Sequence, residues 1–414
     1  MGSMHEDDLP PLCVHDYAPS QPQLRIAVVT ETYPPEVNGV AMTLSRMVDG
    51  LIRRGHRIQL VRPRQHAQER PASGHALEEV LAAGVPIPSY AGLKLGLPAK
   101  RALTRLWSLQ RPDVVHVVTE GPLGSSAIAA ARKLRLPVTS DFHTNFHAYS
   151  HHYGMGWLKR PIAAYLRRFH NKTDATFVPT GQLARELGDN GYDNLQVVAR
   201  GVDTALFHPE RRSAELRRSW GATDNSLVVL SVGRMAPEKN LNLVLEAFAA
   251  IQARQPEARL VFVGDGPVRA GLQARHPQHV FAGMRSGSDL ASHYASGDLF
   301  LFPSLTETFG NVTQEALASG LPVVAYDYAA ASELIVPGRN GLLAPAGDAT
   351  AFVTAAREAA EPNTLRVLRN HARMSVVGND WEHIHDAFAA ALGQAVRSHE
   401  RRYQAATAIV MAPD

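Results

Sequence analysis

A chain of 414 residues has room for two or three domains, and 45% hydrophobic with 20% charged residues is the balance of an ordinary globular protein. A net charge of +3 is too weak to imply a nucleic-acid ligand by itself, and no run approaches the ~20 apolar residues of a membrane-spanning helix. The single cysteine, Cys13, excludes an intramolecular disulfide and a cysteine metal cluster and fits a reducing compartment.

Residues 1–23 are polar and proline-rich and read as a loose arm without the pattern of a secretory signal; Met1-Gly-Ser-Met4 has the look of a cloning scar. Residues 25–30 form an apolar strand and 31–39 a loop with two prolines and a glycine. Val40, Leu44, Met47, Val48 and Leu51 recur at helical spacing up to Gly55, and strand 57–61 follows, so the chain opens as β-α-β. Asn38 and Gly39 stand at the helix N-terminus, where free amides either face an anion or simply make a turn. Neither G-x-G-x-x-G nor G-x-x-x-x-G-K-[ST] occurs here, which argues against a dinucleotide fingerprint and a P-loop.

Between residues 90 and 111, Lys94, Lys100, Arg101, Arg105 and Arg111 stand among Leu103, Leu106 and Trp107 with no acid between them. Such a segment lies on an anionic bilayer or packs its leucine stripe inward. Strand 113–118, a small-residue helix over 124–134 and strand 137–141 continue the alternation. His143 falls just past that strand. His143, His147 and His151 are four apart, a spacing seen in helical metal ligands, but nothing nearby completes a site; a hydrogen-bonding histidine at a cleft is the favoured reading. Residues 156–172 are again basic and aromatic, and Tyr153 and Trp157 join them as candidates for membrane or acidic-acceptor contact. Strands at 175–178 and 195–199 close this half, 201–209 reads as the linker, and 211–220 as a charged helix.

The second half restarts the alternation. Strand 227–233 leads to Arg234 and Lys239, with Asn240 placed to cap a helix reaching about residue 251. Two cations and a helix dipole at one strand end suit a diphosphate. Strand 259–263 ends in Gly264-Asp265-Gly266-Pro267, a tight turn that leaves room for a flat ring, and strand 280–283 precedes Met284. Residues 298–303 and 321–326 are buried strands around a loop and a helix over 311–319, which places Glu307 in the loop and Glu315 in the first helical turn. Carboxylates accept hydrogen bonds from vicinal hydroxyls, free helix N–H groups donate to oxygens, and Gly310 permits close backbone approach, so a sugar or a ribose suits this loop. The plainer alternative is a solvated Glu307 and a Glu315 that favours the helix dipole. An amphipathic helix over 381–396 and a frayed end complete the chain. Two such alternations facing each other enclose a cleft.

Arg234-x4-Lys239, Gly264-Asp-Gly-Pro267 and Glu307-x7-Glu315 with Phe309-Gly310-Asn311 resemble the retaining GT-B glycosyltransferases of the large family 4. Thr30-Glu-Thr-Tyr-Pro-Pro-Glu-Val-Asn-Gly39 and Asp141-Phe-His-Thr-Asn-Phe146 look like its bacterial GDP-mannose-dependent α-mannosyltransferase branch. Sulfoquinovosyl and glucosyl diacylglycerol synthases share much of the pattern. The resemblance covers residues 24 to 395. It implies an α/β fold of GT-B type: an acceptor domain over 24–203, a donor domain over 204–380, both Rossmann-like and facing across a cleft, and a terminal segment over 381–414 that crosses back to the first domain.

The same resemblance implies roles. Glu315 would bind ribose hydroxyls, and Glu307, with the amides near Phe309, Gly310 and Asn311, would hold the donor sugar. Arg234 and Lys239 would neutralise the leaving diphosphate. Gly39, beside Asn38, would bring an amide to the phosphate, His143 would bond the sugar, and Gly264 and Met284 complete the donor set. Ala199-Arg200-Gly201 departs from the more usual Asn-Gly at the linker.

The implied reaction moves a hexosyl group, first of all mannose from GDP-mannose, to a hydroxyl acceptor, with a membrane lipid favoured by the two basic aromatic segments. A UDP-hexose-dependent diacylglycerol glycosyltransferase is the alternative; a nucleotide-sugar epimerase and a non-catalytic nucleotide-sugar-binding protein are rivals of other classes. Retention with no metal and no cofactor is expected, since cations can serve the leaving group and the folded region has no D-x-D. So are a cytoplasmic place, peripheral contact with the inner face of the cell membrane, and no nucleic-acid partner.

Overall fold

The computed structural model describes residues 23–36, 39–86, 94–143, 159–223 and 225–410. Its apolar runs become two parallel sheets. The first has the order β3-β2-β1-β6-β7-β8-β9, built from β1 (Arg25–Val29), β2 (Arg57–Pro63), β3 (Leu77–Ala82), β6 (Val114–Val117), β7 (Val138–Asp141), β8 (Ala175–Val178) and β9 (Leu195–Val197). A short antiparallel pair, β4 (Gly84–Pro86) and β5 (Lys94–Gly96), lies beside it. The second has the order β12-β11-β10-β13-β14-β15, from β10 (Val228–Val232), β11 (Arg259–Val263), β12 (Val280–Gly283), β13 (Leu299–Phe302), β14 (Val323–Tyr326) and β15 (Gly341–Ala344). Strands such as Val114–Val117 and Leu299–Phe302 are buried along their whole length, as helix-covered parallel strands must be.

Strand order reverses between β1 and β6 in one sheet and between β10 and β13 in the other. A crevice opens outside the carboxyl ends of the strands at such a reversal. Thr32 and His143 therefore meet it from one side, Arg234 and residues 306–310 from the other.

Several elements differ from the sequence expectation. The edge strand β3 has no apolar run because Glu78 and Glu79 interrupt it; Glu79, with Glu69, instead pairs with the buried Arg62 at 3.0 and 2.9 Å. The charged helix shrinks to Ala214–Ser219, since Pro209–Arg211 forms its own turn and the Ser213 hydroxyl caps the helix. Asn240 precedes the Leu241–Gln252 helix in a left-handed conformation and makes no side-chain cap. Lys94 falls on β5, and the basic helix is Lys100–Leu109; its Leu103 and Trp107 are buried, and Trp107 Nε1 donates to Gln59 Oε1 at 2.9 Å. The inward-packing reading of that segment is the one adopted. Among the described residues no helix is long and apolar enough to cross a membrane.

The terminal helix extends from Trp381 to Val410, well past residue 396. Phe388 and Leu392 enter the core of the first sheet with Ile26, Val28 and Phe177. At Gly50 any Cβ would sit 2.3 Å from the His385 ring, so this contact requires glycine. Arg54 pairs with Glu382 and Asp386, and Asp174 receives His399 and Arg402.

In the second domain Asp298, just before β13, ties distant segments together. Its Oδ1 accepts from Arg212 and Arg369 at 2.8 and 2.7 Å, and its Oδ2 from Arg217 and the Val228 amide at 2.9 and 2.8 Å. Burial opposes its charge, but Arg212, Arg217 and Arg369 outweigh burial and hold its pKa below the ordinary carboxylate value. Asp298→Ala strands the buried Arg217 and is expected to lose about 3 kcal/mol in urea unfolding; an unchanged midpoint would show that the network is dispensable. Because the folded pKa is depressed, its contribution is present above about pH 4 and fades as the pH falls through the lower folded value. Asp298→Asn should flatten that part of the acid limb.

Candidate active site

A cavity of about 630 Å³ lies between the carboxyl ends of the two sheets. The first domain contributes Thr32, Gly39, Thr119 and His143, and the linker contributes Arg200. The second contributes Gly233, Arg234, Lys239, Phe302, Glu307, Phe309, Gly310 and Asn311. His143, Arg234, Lys239, Glu307, Gly39, Phe309, Gly310 and Asn311, called from sequence as far apart as residues 39 and 311, thus share one wall of space.

Local chemistry explains how each arrives. The Pro237–Lys239 turn leaves β10 through Gly233, whose φ of +143° suits glycine and whose missing Cβ faces open space. It swings Lys239 across the Phe302 ring, 5.5 Å from its centroid, into an ion pair with Glu307. The peptide of Glu307 is held at both ends by one hydroxyl: its N–H donates to Tyr328 Oη at 2.9 Å, and that hydroxyl donates to the Glu307 carbonyl. Gly310 takes φ +91° and starts the Asn311–Ala318 helix with no side-chain cap, which leaves first-turn N–H groups for a ligand. Thr308 Oγ1 donates to the His143 carbonyl at 2.7 Å and joins the two walls.

His143 is turned away from a simple ligand-bonding pose. Its Nε2 lies 2.8 Å from Asp141 Oδ2, and Arg200 Nη2 lies 3.1 Å from its Nδ1. Both ring nitrogens already face protein groups, so a sugar would meet the ring's carbon edge unless a partner yields. Burial first, then the Arg200 charge, push the His143 pKa below the ordinary imidazole value, while Asp141 pulls it upward. Asp141 is itself buried, yet the imidazoles of His116 and His143 beside it hold its pKa well below the usual carboxylate range.

Other candidate residues lie elsewhere. The helix starts at Asn311, as expected, but Glu315 is its fifth residue and so lies in the second turn and not the first, since one turn takes about 3.6 residues. It is outside the lining of this cavity and partly buried, with the Tyr294 hydroxyl donating to Oε2 at 3.0 Å. Burial raises its pKa; the Tyr294 bond and the Arg46 charge oppose the rise. Gly264 does not line the cavity either: a Cβ there would lie 2.0 Å from the Gly233 carbonyl, so it braces the end of β10 from behind. Met284 is 65% exposed and outside the cavity wall. Lys100, Arg101 and Arg105 are exposed on their helix, and Lys94 Nζ donates to the Arg64 carbonyl at 3.0 Å; none of the four reaches the cavity. Asn38, His147, His151, Tyr153 and Trp157 lie outside the described residues. Among the described residues no group of three or more His, Cys, Asp or Glu is arranged to hold a metal ion.

Sequence reasoning passed over Tyr328 and Thr308, which carry no motif signal, and noticed Arg200 only as a departure at the linker. The arrangement pairs cations, open helix amides and an acid at one cleft, which is chemistry for a phosphorylated, hydroxyl-rich ligand.

Comparison with known proteins agrees with that chemistry. Residues 37–206 match the family model described as Glycosyltransferase Family 4, and residues 226–361 the one described as Glycosyl transferases group 1. A GDP-mannose-dependent alpha-mannosyltransferase of Mycobacterium tuberculosis is 37% identical over 369 residues, 86% of this chain and 93% of that protein. An alpha-monoglucosyldiacylglycerol synthase of Streptococcus pneumoniae is 30% identical over 73% of this chain and 71% of its own length. Among solved structures, Anabaena Alr3699/HepE in complex with UDP-glucose has a TM-score of 0.67 at 19% identity, covering 90% of this chain and all 100% of its own, which establishes a shared fold. Two facing Rossmann-like sheets, Arg234, Lys239, Glu307 and Phe309-Gly310-Asn311 gathered on one cavity, and relatives aligned along most of both chains make one statement: this chain belongs to glycosyltransferase family 4, with the GT-B fold.

Proposed function

We propose that the enzyme transfers a hexosyl group, mannose from GDP-mannose in the first place, to a lipid hydroxyl, with retention at the anomeric carbon and no metal ion. The observation that carries the reading is the Lys239–Glu307 ion pair beside Arg234 on the cavity wall. The relatives' names support the substrate classes: mannose from GDP-mannose in one, a glucosyl diacylglycerol in another.

The charges suggest the mechanism. Breaking the anomeric C–O bond builds positive charge on the sugar and negative charge on the diphosphate. A diphosphate competes with Glu307 for Lys239 and gains Arg234 and the helix N–H groups as well. Glu307, released, accepts hydrogen bonds from sugar hydroxyls, and Tyr328 keeps its peptide in place. In this reading the ion pair is an internal stand-in that the donor takes apart. The departing phosphate oxygen takes the acceptor's proton on the same face, so no enzymic base is required. Glu315, with Tyr294, is assigned to ribose hydroxyls, and Gly39 to a phosphate oxygen.

A UDP-hexose donor is the second reading; the glucosyl relative's name supports glucose as its sugar. Nucleotide release from GDP-mannose and UDP-glucose, each with and without diacylglycerol, separates the two; turnover of donor without acceptor would instead fit an epimerase. Lys239→Ala and Arg234→Ala should each lower kcat about 10²–10³-fold, the usual cost of one missing charge-stabilising donor. Near-native kcat in both would remove the diphosphate assignment. NMR of the product should show the donor's anomeric configuration kept, and rates should survive EDTA; inversion or metal dependence would refute those parts separately. Membrane contact would rest on Lys100, Arg101 and Arg105, so anionic vesicles should retain the protein at low salt and release it at high salt. Equal binding by neutral vesicles would exclude that charge mechanism.

A further inference from the structure

Arg200 has no task in the mechanism above, although it lines the cavity. It is 5% exposed, and among the described residues its guanidinium donates to one acceptor, His143 Nδ1, at 3.1 Å. Its charge is balanced by Asp141, 3.8 Å away. Guanidinium groups donate and never accept. His143 Nδ1 must therefore present a lone pair, and a neutral ring must carry its proton on Nε2. That nitrogen lies 2.8 Å from Asp141 Oδ2, whose negative charge favours a proton there although the two atoms are not aligned as a hydrogen bond. A second proton can enter the ring only at Nδ1, where Arg200 already points.

We infer that Arg200 is a positioning residue of the transfer reaction, which holds His143 in the cavity wall as the uncharged tautomer with its proton on Nε2. The inference rests on the reading that a sugar reacts in this cavity. A carbon that gains positive charge is opposed by an imidazolium and not by a neutral ring. Arg200 and Asp141 form a charge-balanced clamp, so the wall beside the sugar stays neutral while the cations needed by the phosphate stand on the other domain.

The groups around the ring define what its removal does. Asp141 lies on the end of β7, Glu120 follows β6, and His116 on β6 reaches Asp141 Oδ1 at 3.6 Å. Arg200 comes from the linker. From the second domain Thr308 adds a neutral hydroxyl on the His143 carbonyl, and Arg234 with the Lys239–Glu307 pair lines the same cavity. Burial and Arg200 lower the His143 pKa; Asp141 and Glu120 raise it. Without Arg200 the two acids gain, the ring binds a proton at higher pH, and activity falls as the pH drops.

Nitrogen-15 histidine NMR on the full chain, with His143 assigned by its loss in His143→Gln, reads the ring independently of catalysis. The expected result is a neutral ring protonated at Nε2 in the unmodified chain. Arg200→Met should raise its titration midpoint by about one pH unit or more, and the acid limb of kcat should move up with it. Arg200→Lys, which keeps a cation and a donor, should restore most of both. A His143 titration unchanged in Arg200→Met, or a lower kcat with the native pH profile, overturns the inference. If Arg200→Met does not fold, the tautomer in the unmodified chain decides: a proton on Nδ1 overturns it, and a proton on Nε2 with a native-like Arg200→Lys ring upholds it. Failure of the reaction reading is seen elsewhere, as native kcat in the Arg234 and Lys239 variants.

Discussion

The ion pair between Lys239 and Glu307 is the constraint on which the cavity depends. Each charge is partly buried, at 19% and 14% exposure, and would be costly alone. Paired, they let a cation and an acid stand ready on a wall that must take up both a phosphate and a sugar. Much of the surrounding structure serves to hold the pair in register. Phe302 supplies a ring face for Lys239, Tyr328 grips the Glu307 peptide, and Gly233 with Gly264 allows β10 to end where it does.

The facing wall solves a different electrostatic problem. There a buried carboxylate, Asp141, lies among two imidazoles and a guanidinium, and the set is nearly neutral when both rings are uncharged. His116 extends the chain inward to the Thr139 hydroxyl at 2.9 Å. Positive charge is thus concentrated on the donor-side domain and balanced on the other. Thr308 bridges the two across the cleft, so the ligand loop and the histidine are registered against each other without a ligand's help.

How much of this was legible depended on whether a local signal existed. Fully buried strands such as Val114–Val117 and Leu299–Phe302 announce themselves as apolar runs, and the spacings Arg234-x4-Lys239 and Glu307-x7-Glu315 point to a phosphate and hydroxyl site. What was lost had its cause in distant partners. Strand β3 carries two glutamates that make sense only beside Arg62. Residues 397–403 are so polar that they read as frayed, yet Asp174, more than two hundred positions earlier, receives His399 and Arg402. Glu315 was set one turn too early although the helix starts where the sequence places it, because a fifth residue already lies past one turn of about 3.6. No pattern in the chain could place Arg200 on His143, since the linker and β7 become neighbours only in the fold.

The chain crosses between its halves at one narrow place. The Val202 amide donates to the Asn379 carbonyl at 2.9 Å, and Gly201 packs so close to Trp381 that a Cβ would lie 2.7 Å from its ring. Beyond that crossing, Phe388 and Leu392 fill the interior next to the very first strand. During synthesis on the ribosome, the half made first therefore has a gap in its hydrophobic interior until the last helix emerges. Among the described residues the donor-side core draws only on residues 202–376, so it does not wait for that helix and can be complete first.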